Sequence, residues 1–300
     1  MTPRVLVLAG PTACGKTDLA IALARRVGAE IVGADSRQIY RGMPIGTAAP
    51  TQAQLAQAPH HLVGFLDPHE RYSAARFAED ARRVIAQIHE RGHHAIVVGG
   101  TGFYLRAFCG DVALSDAYDP ELRDRLAREA RTHPPEVLHA WLAARDPARA
   151  HAVATTDSYR IVRALEIALS APREPPPLHP QPVLTRFNGV KVWLEIEPQE
   201  LEARIEQRVD AMLRSGFVEE AQRIGPDAVA ASAVGYHHAL AFTNGWTTQE
   251  ELRALLARGT RRYAKRQRTW FRAEPHLICM PIWGGVDALE RLAREHLQWA

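Results

Sequence analysis

The stretch GPTACGKT, residues Gly10 to Thr17, directly follows the apolar run VLVLA at residues 5–9. Its spacing fits G-x-x-x-x-G-K-[ST], a loop between a strand and a helix whose backbone N–H groups surround phosphates. In that pattern Lys16 supplies a positive charge and the Thr17 hydroxyl helps to bind Mg²⁺. The helix predicted after the loop directs the positive end of its dipole to the same place. The stretch therefore predicts a phosphate site and leaves open whose phosphates are bound.

Strands and helices alternate through the first hundred residues. Apolar runs predict strands at residues 4–9, 30–33 and 94–98, and helices are predicted at 17–27 and 74–91. Alternation of this kind is typical of an α/β fold in which helices cover both faces of a parallel sheet. Because ligands of open α/β sheets bind beyond the carboxyl ends of the strands, we expect the loops after these strands to form one site.

The residues that follow the predicted strands argue against an ordinary ATPase or motor. Such proteins place an acidic residue at the end of an apolar strand to help bind Mg²⁺, whereas the strand AIVV is followed by GGTG at residues 99–102. The carboxylate instead follows the second strand, at Asp35, where small P-loop kinases hold an acceptor or its base. Asp35 is equally compatible with a turn, since Asp-Ser is a common turn pair. Topology alone places Asp35, Ser36 and Thr101 near Lys16.

The pattern changes between residues 114 and 186. Helices are predicted there at 121–132, 136–144 and 159–170, and six prolines between residues 172 and 182 exclude a regular helix or a central strand. Two later runs, VKVWLEIEP and HLICMPI, are predicted to return to the sheet. The predicted domains are a catalytic core and a helical insertion with a proline-rich return connector, at residues 1–113 with 187–300 and at 114–186.

Composition excludes several classes of protein. The net charge of +3 over 300 residues is too small to indicate a nucleic-acid partner by itself. The three cysteines, at 14, 109 and 279, are too far apart for a C-x-x-C metal site or a disulfide framework. The opening apolar run is far shorter than the ~20 residues of a membrane-spanning helix and lacks a signal-peptide pattern. We therefore expect a cytoplasmic protein that does not contact a membrane.

Arg208 is unusual for its place in a predicted helix opened by Pro198. It shares one helical stripe with Leu201, Ile205 and Met212. An unpaired charge among apolar side chains is costly, so Arg208 must reach an anion or extend its head to solvent. Two interpretations follow: Arg208 pairs with a carboxylate of the core, or its planar guanidinium clamps a leaving phosphate.

The segment RGTRRYAKRQRTWFR, residues 258–272, contains seven basic residues and no acidic one. Four of the basic residues form one helical stripe, and aromatic side chains lie between them. A solvated helix face ordinarily mixes charges to form i,i+4 pairs, and this segment does not. Contact with a phosphate backbone explains the composition better than a basic helix without a partner, which is the alternative. The stripe consists of Arg261, Lys265, Arg268 and Arg272.

Taken together, these stretches resemble the bacterial tRNA dimethylallyltransferases, also called tRNA isopentenyltransferases. The resemblance spans nearly the whole chain, and its motifs occur in the order of that family. The matching motifs are GPTACGKT, ADSRQIYRGMPIGTA, YSAARFAEDA, VVGGTGFYLRAF, DPELRDRL, DSYRIVRALEI, RIEQRVDAMLRSGF, VGYHHAL and AKRQRTWFR.

The resemblance implies transfer of a dimethylallyl group from dimethylallyl diphosphate to N6 of adenine 37 in tRNA. It also implies a P-loop-kinase-like core whose helical insertion grips the anticodon stem-loop. By position, Asp35 resembles the general base, and Thr101 and Arg208 resemble the groups that bind the diphosphate and its bridging oxygen. The implied diphosphate contacts are Gly10, Pro11, Thr12, Ala13, Cys14, Gly15, Lys16 and Thr17, and Thr17 is the implied Mg²⁺ ligand.

The resemblance further implies a flipped-out target base, a monomeric enzyme and a requirement for Mg²⁺ but not for zinc. The implied tRNA contacts come from the core, from the insertion and from the basic segment. They are Asp35, Ser36, Arg37, Gln38, Thr101, Arg123, Tyr159, Arg160, Ile161, Val162, Arg163, Lys265, Arg266, Gln267, Arg268, Trp270 and Arg272.

The chain departs from the family pattern at three positions. Cys14 stands where Ser is common, but its backbone N–H is retained, so phosphate binding should survive. Ser232 and His237 stand where Arg is common, which puts a charged tRNA contact from that segment in doubt. Two alternatives to a transferase are a small-molecule or nucleoside kinase on the same core and a non-catalytic RNA-binding module.

Overall fold

The computed structural model describes residues 4–111, 119–170 and 188–299. Within these ranges the chain forms six strands: β1 (Val5–Ala9), β2 (Ala29–Gly33), β3 (His60–His61), β4 (His94–Gly99), β5 (Gly189–Glu195) and β6 (Leu277–Pro281). The helices of the first ninety residues are α1 (Lys16–Val27), α2 (Pro44–Thr47), α3 (Gln52–Leu55) and α4 (Ala74–Glu90). Those that follow up to residue 170 are α5 (Gly102–Cys109), α6 (Pro120–Thr132), α7 (Pro135–Arg145), α8 (Pro147–His151) and α9 (Ser158–Ser170). The rest are α10 (Pro198–Arg214), α11 (Phe217–Ile224), α12 (Tyr236–Thr243), α13 (Gln249–Phe271) and α14 (Gly285–Leu297).

The strands form one parallel sheet in the order β3-β2-β4-β1-β5-β6. The central strand β1 is buried at all five positions, as expected for a parallel strand covered on both faces. Alternate residues such as Leu6 and Leu8 pack into one core cluster with α1 and α14, and the intervening Val5 and Val7 are also buried. The predicted α/β fold with a parallel sheet is confirmed.

The strand order places the phosphate loop at the centre of one sheet edge. The loop after β1 has β4 on one side and β5 on the other, and each of these strands ends at the same carboxyl edge. The two-residue edge strand β3 and the short helices α2 and α3 have no counterpart among the predicted elements. They are too short to show a hydrophobic period.

The chain divides into two compact units, one formed by Met1–Val112 with Thr185–Ala300 and the other by Ala113–Leu184. In the smaller unit, helices α6 to α9 surround a core of their own that includes Leu126, Leu138, Leu142 and Ile161. The short helix α8 begins at a proline and is capped by Asp146, whose carboxylate accepts from the Arg149 N–H. The proline-rich connector lies outside the described residues, and the tRNA-gripping role of this unit stays a prediction.

No helix in the described part of the chain is long and apolar enough to cross a membrane. The longest helix, α13, has 23 residues and begins with a capping box between Thr248 and Glu251. The basic segment, residues 258–272, forms the second part of this helix and its C-cap. The helix begins nine residues before the segment, at Gln249.

A buried carboxylate on β2 joins the sheet to the end of α4. Glu30 is 4% exposed, and its oxygens lie 2.7 Å from the Arg91 guanidinium, 2.6 Å from a ring nitrogen of His61 and 2.7 Å from one of His93. Burial favours the neutral acid, but the hydrogen bonds from Arg91, His93 and His61 outweigh it and lower the pKa of Glu30 to about 2. This ionised group therefore stabilises the fold at neutral pH.

Glu30 is expected to make stability sensitive to acid. Its folded pKa lies below the ordinary value of 4.5, so its contribution is present above about pH 4.5 and is lost as the pH falls toward 2. The shift corresponds to about 3 kcal/mol of unfolding free energy. Denaturant unfolding at pH 7 and at pH 3 should show a smaller pH difference for Glu30→Gln than for the native chain. The exposed Glu79→Gln variant is the control, and an equal pH difference in all three proteins would contradict the assignment.

Candidate active site

The phosphate loop adopts the tight conformation that its glycines allow. Gly15 has φ +96°, and Ala13 also has a positive φ, of 67°. The loop ends at α1, whose first residue Lys16 donates from Nζ to the carbonyl oxygens of Gly10 (2.9 Å) and Pro11 (2.8 Å). The N-terminus of a 12-residue helix thus faces the loop together with a lysine ammonium. This arrangement suits a bound phosphate group.

Two side chains from distant helices support the loop. Gln267 of α13 accepts from the Thr12 N–H at 2.8 Å and donates to the Gly100 carbonyl at 3.0 Å, so it joins the loop to the end of β4. A Cβ at Gly100 would lie 2.0 Å from the Gln267 amide nitrogen, which explains a glycine there. Arg204 of α10 donates to the Cys14 carbonyl at 2.8 Å. Gln267 is 5% exposed and its amide forms hydrogen bonds within the protein, so the tRNA contact expected of this residue stays a prediction.

Asp35 lies beside the loop, directly after β2. Its Oδ1 accepts from the backbone N–H groups of Arg37 (2.8 Å) and Gln38 (3.4 Å), so it forms the turn that the Asp-Ser pair indicates. The Thr101 hydroxyl accepts from the Ser36 N–H at 3.0 Å and ties the start of α5 to this turn. The carboxylate also lines two cavities. Asp35 can therefore stabilise the turn and still face a bound ligand.

Arg208 extends from α10 to the phosphate loop. Its guanidinium donates to the Thr12 hydroxyl at 2.9 Å and to the Thr47 carbonyl at 3.4 Å. Among the described residues no carboxylate oxygen lies within 4.0 Å of the guanidinium. The structure therefore shows no ion pair between Arg208 and a described carboxylate of the core. Burial lowers the pKa of Arg208, and the charge of Asp35 partly offsets this effect. A half-buried guanidinium that has no carboxylate partner among the described residues and lies beside a phosphate loop is suited to bind an anion.

Two cavities meet at Arg208 and Asp35. The larger, about 950 Å³, is also lined by Lys16, Thr17 and Arg204, and the smaller, about 190 Å³, by Tyr263 and Arg266 of α13. The residues common to both are Thr12, Asp35, Thr47, Arg208 and Met212. Sequence reasoning did not find Thr47 or Tyr263, because both reach the site through tertiary packing.

Not every basic side chain of α13 lacks an acidic partner in the structure. Arg261 contacts two carboxylates of α10, Glu202 and Glu206, each at 2.6 Å. The mixing of charges that the sequence of α13 lacks is therefore supplied at Arg261 by a neighbouring helix, and the phosphate contact expected of this stripe stays a prediction. Lys265, Arg266 and Arg272 are exposed.

Trp270 packs at the end of the same helix. The Arg106 guanidinium lies 4.6 Å from its ring centroid, and Phe103 approaches it edge-on at 6.5 Å. A Cβ at Gly102 would lie 2.1 Å from the indole nitrogen, so the start of α5 is closely packed against this ring. Trp270 is half-buried, as is Arg268. Trp270 therefore contributes packing to the core in addition to any contact with RNA.

In the smaller unit, two arginines converge on one buried carboxylate. Glu166 is 1% exposed and lies 2.8 Å from Arg123 and 2.9 Å from Arg163. Tyr159 is 82% exposed, whereas Ile161 is fully buried in the core of the unit. Residue 161 therefore lies on the inner face of α9, and the RNA contact expected of it stays a prediction. Arg160 pairs with Asp157, and Val162 packs against the core.

The parallel sheet, the phosphate loop at its centre and the two adjoining cavities define an α/β protein of the P-loop class. The chain belongs to the IPP transferase family, whose model matches residues 38–274. The family and the fold that the sequence motifs indicated are thereby confirmed.

Several curated proteins and solved structures are similar to the chain over nearly its whole length. A tRNA dimethylallyltransferase of Anaeromyxobacter dehalogenans strain 2CP-C is 45% identical over 294 residues, covering 96% of this chain and 98% of that protein. One of Desulfosudis oleivorans is 39% identical over 308 residues, covering 99% and 97%. The crystal structure of tRNA isopentenylpyrophosphate transferase from Bacillus halodurans has a TM-score of 0.72 at 34% identity, covering 98% of this chain and 97% of that one.

A eukaryotic dimethylallyltransferase acting on tRNA has a similar fold. Its TM-score is 0.76 at 24% identity, covering 98% of this chain and 78% of that one. Its likeness concerns the fold alone.

Proposed function

We propose that this enzyme transfers a dimethylallyl group from dimethylallyl diphosphate to N6 of adenine 37 in tRNA. Membership of the IPP transferase family and high identity to proteins named tRNA dimethylallyltransferase make it a prenyltransferase that acts on tRNA. The donor, the target atom and the residue roles below are our proposal. We take the enzyme to be a cytoplasmic monomer that grips the anticodon stem-loop.

The observation that carries the proposal is the position of Arg208 and Asp35 where the two cavities meet. The larger cavity reaches the phosphate loop, and the smaller one reaches the aromatic and basic side chains of α13. A diphosphate ester bound at the loop would direct its carbon chain toward this junction. A base that enters through the smaller cavity would meet it beside Asp35.

The phosphate loop and Arg208 would bind the diphosphate of the donor. Cleavage of the allylic C–O bond leaves negative charge on the bridging oxygen and positive charge on carbon. Preorganised donors aimed at that oxygen are expected to be the main catalytic contribution. The Arg208 guanidinium would be such a donor, since it contacts Thr12 of the loop at 2.9 Å. Thr101 would orient this region through its bond to the Ser36 N–H.

Mg²⁺ is the metal that the proposed reaction implies. The described residues contain no cluster of three or more His, Cys, Asp or Glu side chains placed for a metal. The site fits an ion held mainly by substrate and water, because the Thr17 hydroxyl lines the cavity at the phosphate loop. Mg²⁺ is commonly bound in this way, through one or two protein oxygens plus substrate phosphates. When bound, it would neutralise charge on the diphosphate.

Asp35 would accept the proton that the adenine amino group loses as its nitrogen bonds to carbon. An aromatic amino group is a poor nucleophile, so a nearby base assists the step. A stacked base cannot reach this depth and must be flipped out, at a cost of a few kcal/mol that contacts with the RNA backbone offset. Residues with exposed or cavity-lining side chains suited to those contacts are Ser36, Arg37, Tyr159, Lys265, Arg266 and Arg272.

The central experiment compares two labelled donors with unmodified tRNA. Dimethylallyl diphosphate is expected to label tRNA at adenine 37, as mass spectrometry of nuclease digests would show, and ATP is expected to transfer no phosphoryl group. Phosphoryl transfer without prenylation would favour the kinase alternative. Binding of an anticodon stem-loop without turnover of either donor would favour the RNA-binding module.

Neutralising Lys265 is expected to weaken tRNA binding and to flatten its salt dependence by about one unit of slope, because one phosphate contact is lost. Arg261 provides the matched control, since it lies on the same helical stripe but is paired with Glu202 and Glu206. Binding of the Lys265→Gln and Arg261→Gln variants would be measured from 50 to 300 mM salt, a range of about sixfold in ionic strength. Equal slopes for native enzyme and Lys265→Gln would remove Lys265 from the tRNA interface.

A further inference from the structure

Glu220 is a buried carboxylate that the proposed reaction does not use. It lies on α11, is 0% exposed, and belongs to a helix face whose other buried members are Phe217, Ala221 and Ile224. Among the described residues no basic nitrogen comes within 4.0 Å of it. A charge in such a place is costly unless its oxygens accept hydrogen bonds. Specific hydrogen bonds to its oxygens are therefore expected.

The contacts of Glu220 are with the segment that begins α2. One oxygen accepts from the Ile45 N–H at 2.9 Å, and the other accepts from the Gly46 N–H at 2.7 Å and from the Tyr236 hydroxyl at 2.7 Å. Tyr236 is itself fully buried, and burial together with Glu220 raises its pKa, so it remains a donor at every pH at which the enzyme would be assayed. Both oxygens of Glu220 are thus satisfied without a counter-ion.

The segment fixed in this way forms a wall of the candidate active site. Gly46 and Thr47 line the smaller cavity. The Thr47 carbonyl accepts from Arg208 at 3.4 Å and from the Gln38 amide at 3.2 Å, and the Ala48 carbonyl accepts from Gln38 at 2.9 Å. Glu220 is therefore linked to the Arg208 guanidinium through residues 45–47: it accepts from the Ile45 and Gly46 N–H groups, and the Thr47 carbonyl accepts from Arg208.

The segment is closely packed against the rings behind it. A Cβ at Gly46 would lie 2.5 Å from the Phe217 ring and 2.5 Å from the Tyr236 hydroxyl oxygen. The two rings contact each other edge-on, with centroids 5.1 Å apart. Glu220, Phe217 and Tyr236 thus hold residues 45 and 46 from one side, while the other side of the segment faces the cavity.

We propose that Glu220 is a positioning residue for the transfer reaction: it holds residues 45–47 so that the Thr47 carbonyl directs Arg208 at the leaving oxygen. The inference rests on the proposed function and adds a residue to it. Misplacement of a catalytic group by about 1 Å can cost about 10²-fold in rate. The effect should therefore appear in kcat, because Glu220 touches neither substrate.

The test uses two variants that preserve shape, Glu220→Gln and Tyr236→Phe, in the full-length enzyme. Glu220→Gln should lower kcat by about 10- to 100-fold, Tyr236→Phe by a smaller factor, and both should leave tRNA affinity within about twofold. The adjacent and exposed Glu219→Gln is the matched control and should behave as the native enzyme. Assays are run well below each measured Tm, so that unfolded protein does not account for a lost rate.

A double-mutant cycle with Arg208→Ala separates positioning from general stability. If Glu220 acts through Arg208, Glu220→Gln should cost little further rate in the Arg208→Ala background. Full additivity, or an unchanged kcat in Glu220→Gln, would overturn the inference. If Glu220→Gln does not fold, the same cycle with Tyr236→Phe decides. A native enzyme that forms no prenylated tRNA would instead refute the proposed function.

Discussion

The Asp35→Asn variant is expected to lose about 10²- to 10⁴-fold in kcat, the usual contribution of a positioned general base. Asparagine is the informative replacement, because Oδ1 of Asp35 accepts from the Arg37 and Gln38 N–H groups and an amide oxygen can do the same. The turn would then survive while the basic oxygen is lost. The measurement is single-turnover prenylation with saturating donor and tRNA, which reports the chemical step.

The affinity of Asp35→Asn for tRNA should remain close to the native value, since the backbone around residues 35–38 is retained. For the rate of the chemical step, Ser36→Ala is a suitable comparison: it removes a neighbouring hydroxyl that also lines the smaller cavity but has no basic oxygen. Native turnover in Asp35→Asn would exclude Asp35 as the base. A large loss of tRNA affinity would assign it to binding rather than to proton transfer.

Two features of the sequence indicate the candidate site: the order of its strands, and the charge of Arg208 among apolar neighbours. Asp35 and Thr101 follow β2 and β4, and strands that run parallel bring their carboxyl ends to one edge, so their proximity could be foreseen. Arg208 was identified because a charge on the stripe of Leu201 and Ile205 has to reach something polar. Both arguments use local sequence and a rule of folding, without knowledge of particular contacts.

The contacts that could not be predicted join elements far apart in the sequence. The basic stripe of α13 indicated free charge at Arg261, but Glu202 and Glu206 come from a helix about 55 residues earlier. Gln267 looked like a polar residue in an RNA-binding helix, and its partners are Thr12 and Gly100 of the loop and sheet. A helical period shows which side chains share a face, and it does not show what that face meets.

The wall formed by residues 45–47 could not be predicted for the same reason. Its support comes from Glu220 and Tyr236, which are about 175 and 190 residues away along the chain. The only local sign is a glutamate on an otherwise apolar face of α11. That sign resembles the one that identified Arg208, so a charge within an apolar stripe is informative about this site in two separate helices.

The Arg208→Ala variant is expected to lose about 10²- to 10³-fold in kcat/KM, the effect typical of removing one preorganised donor to a developing anion. The guanidinium touches Thr12 of the phosphate loop, so under the proposed function its loss is expected to act mainly on the departing diphosphate. Steady-state rates with varied dimethylallyl diphosphate, together with inhibition by inorganic diphosphate, would measure it. Diphosphate should inhibit the variant less strongly than the native enzyme.

Arg208→Lys distinguishes a clamp from a simple charge. Lysine retains the positive charge but lacks the planar pair of N–H groups that contact the Thr12 hydroxyl and the Thr47 carbonyl. We expect it to recover diphosphate affinity more than kcat, because transition-state stabilisation depends on donor geometry. Arg214→Ala, at the exposed end of the same helix, should be unaffected and is the control. Native kinetics in Arg208→Ala would make this arginine a structural support for Thr47, and the transfer would then need another group to stabilise the departing diphosphate.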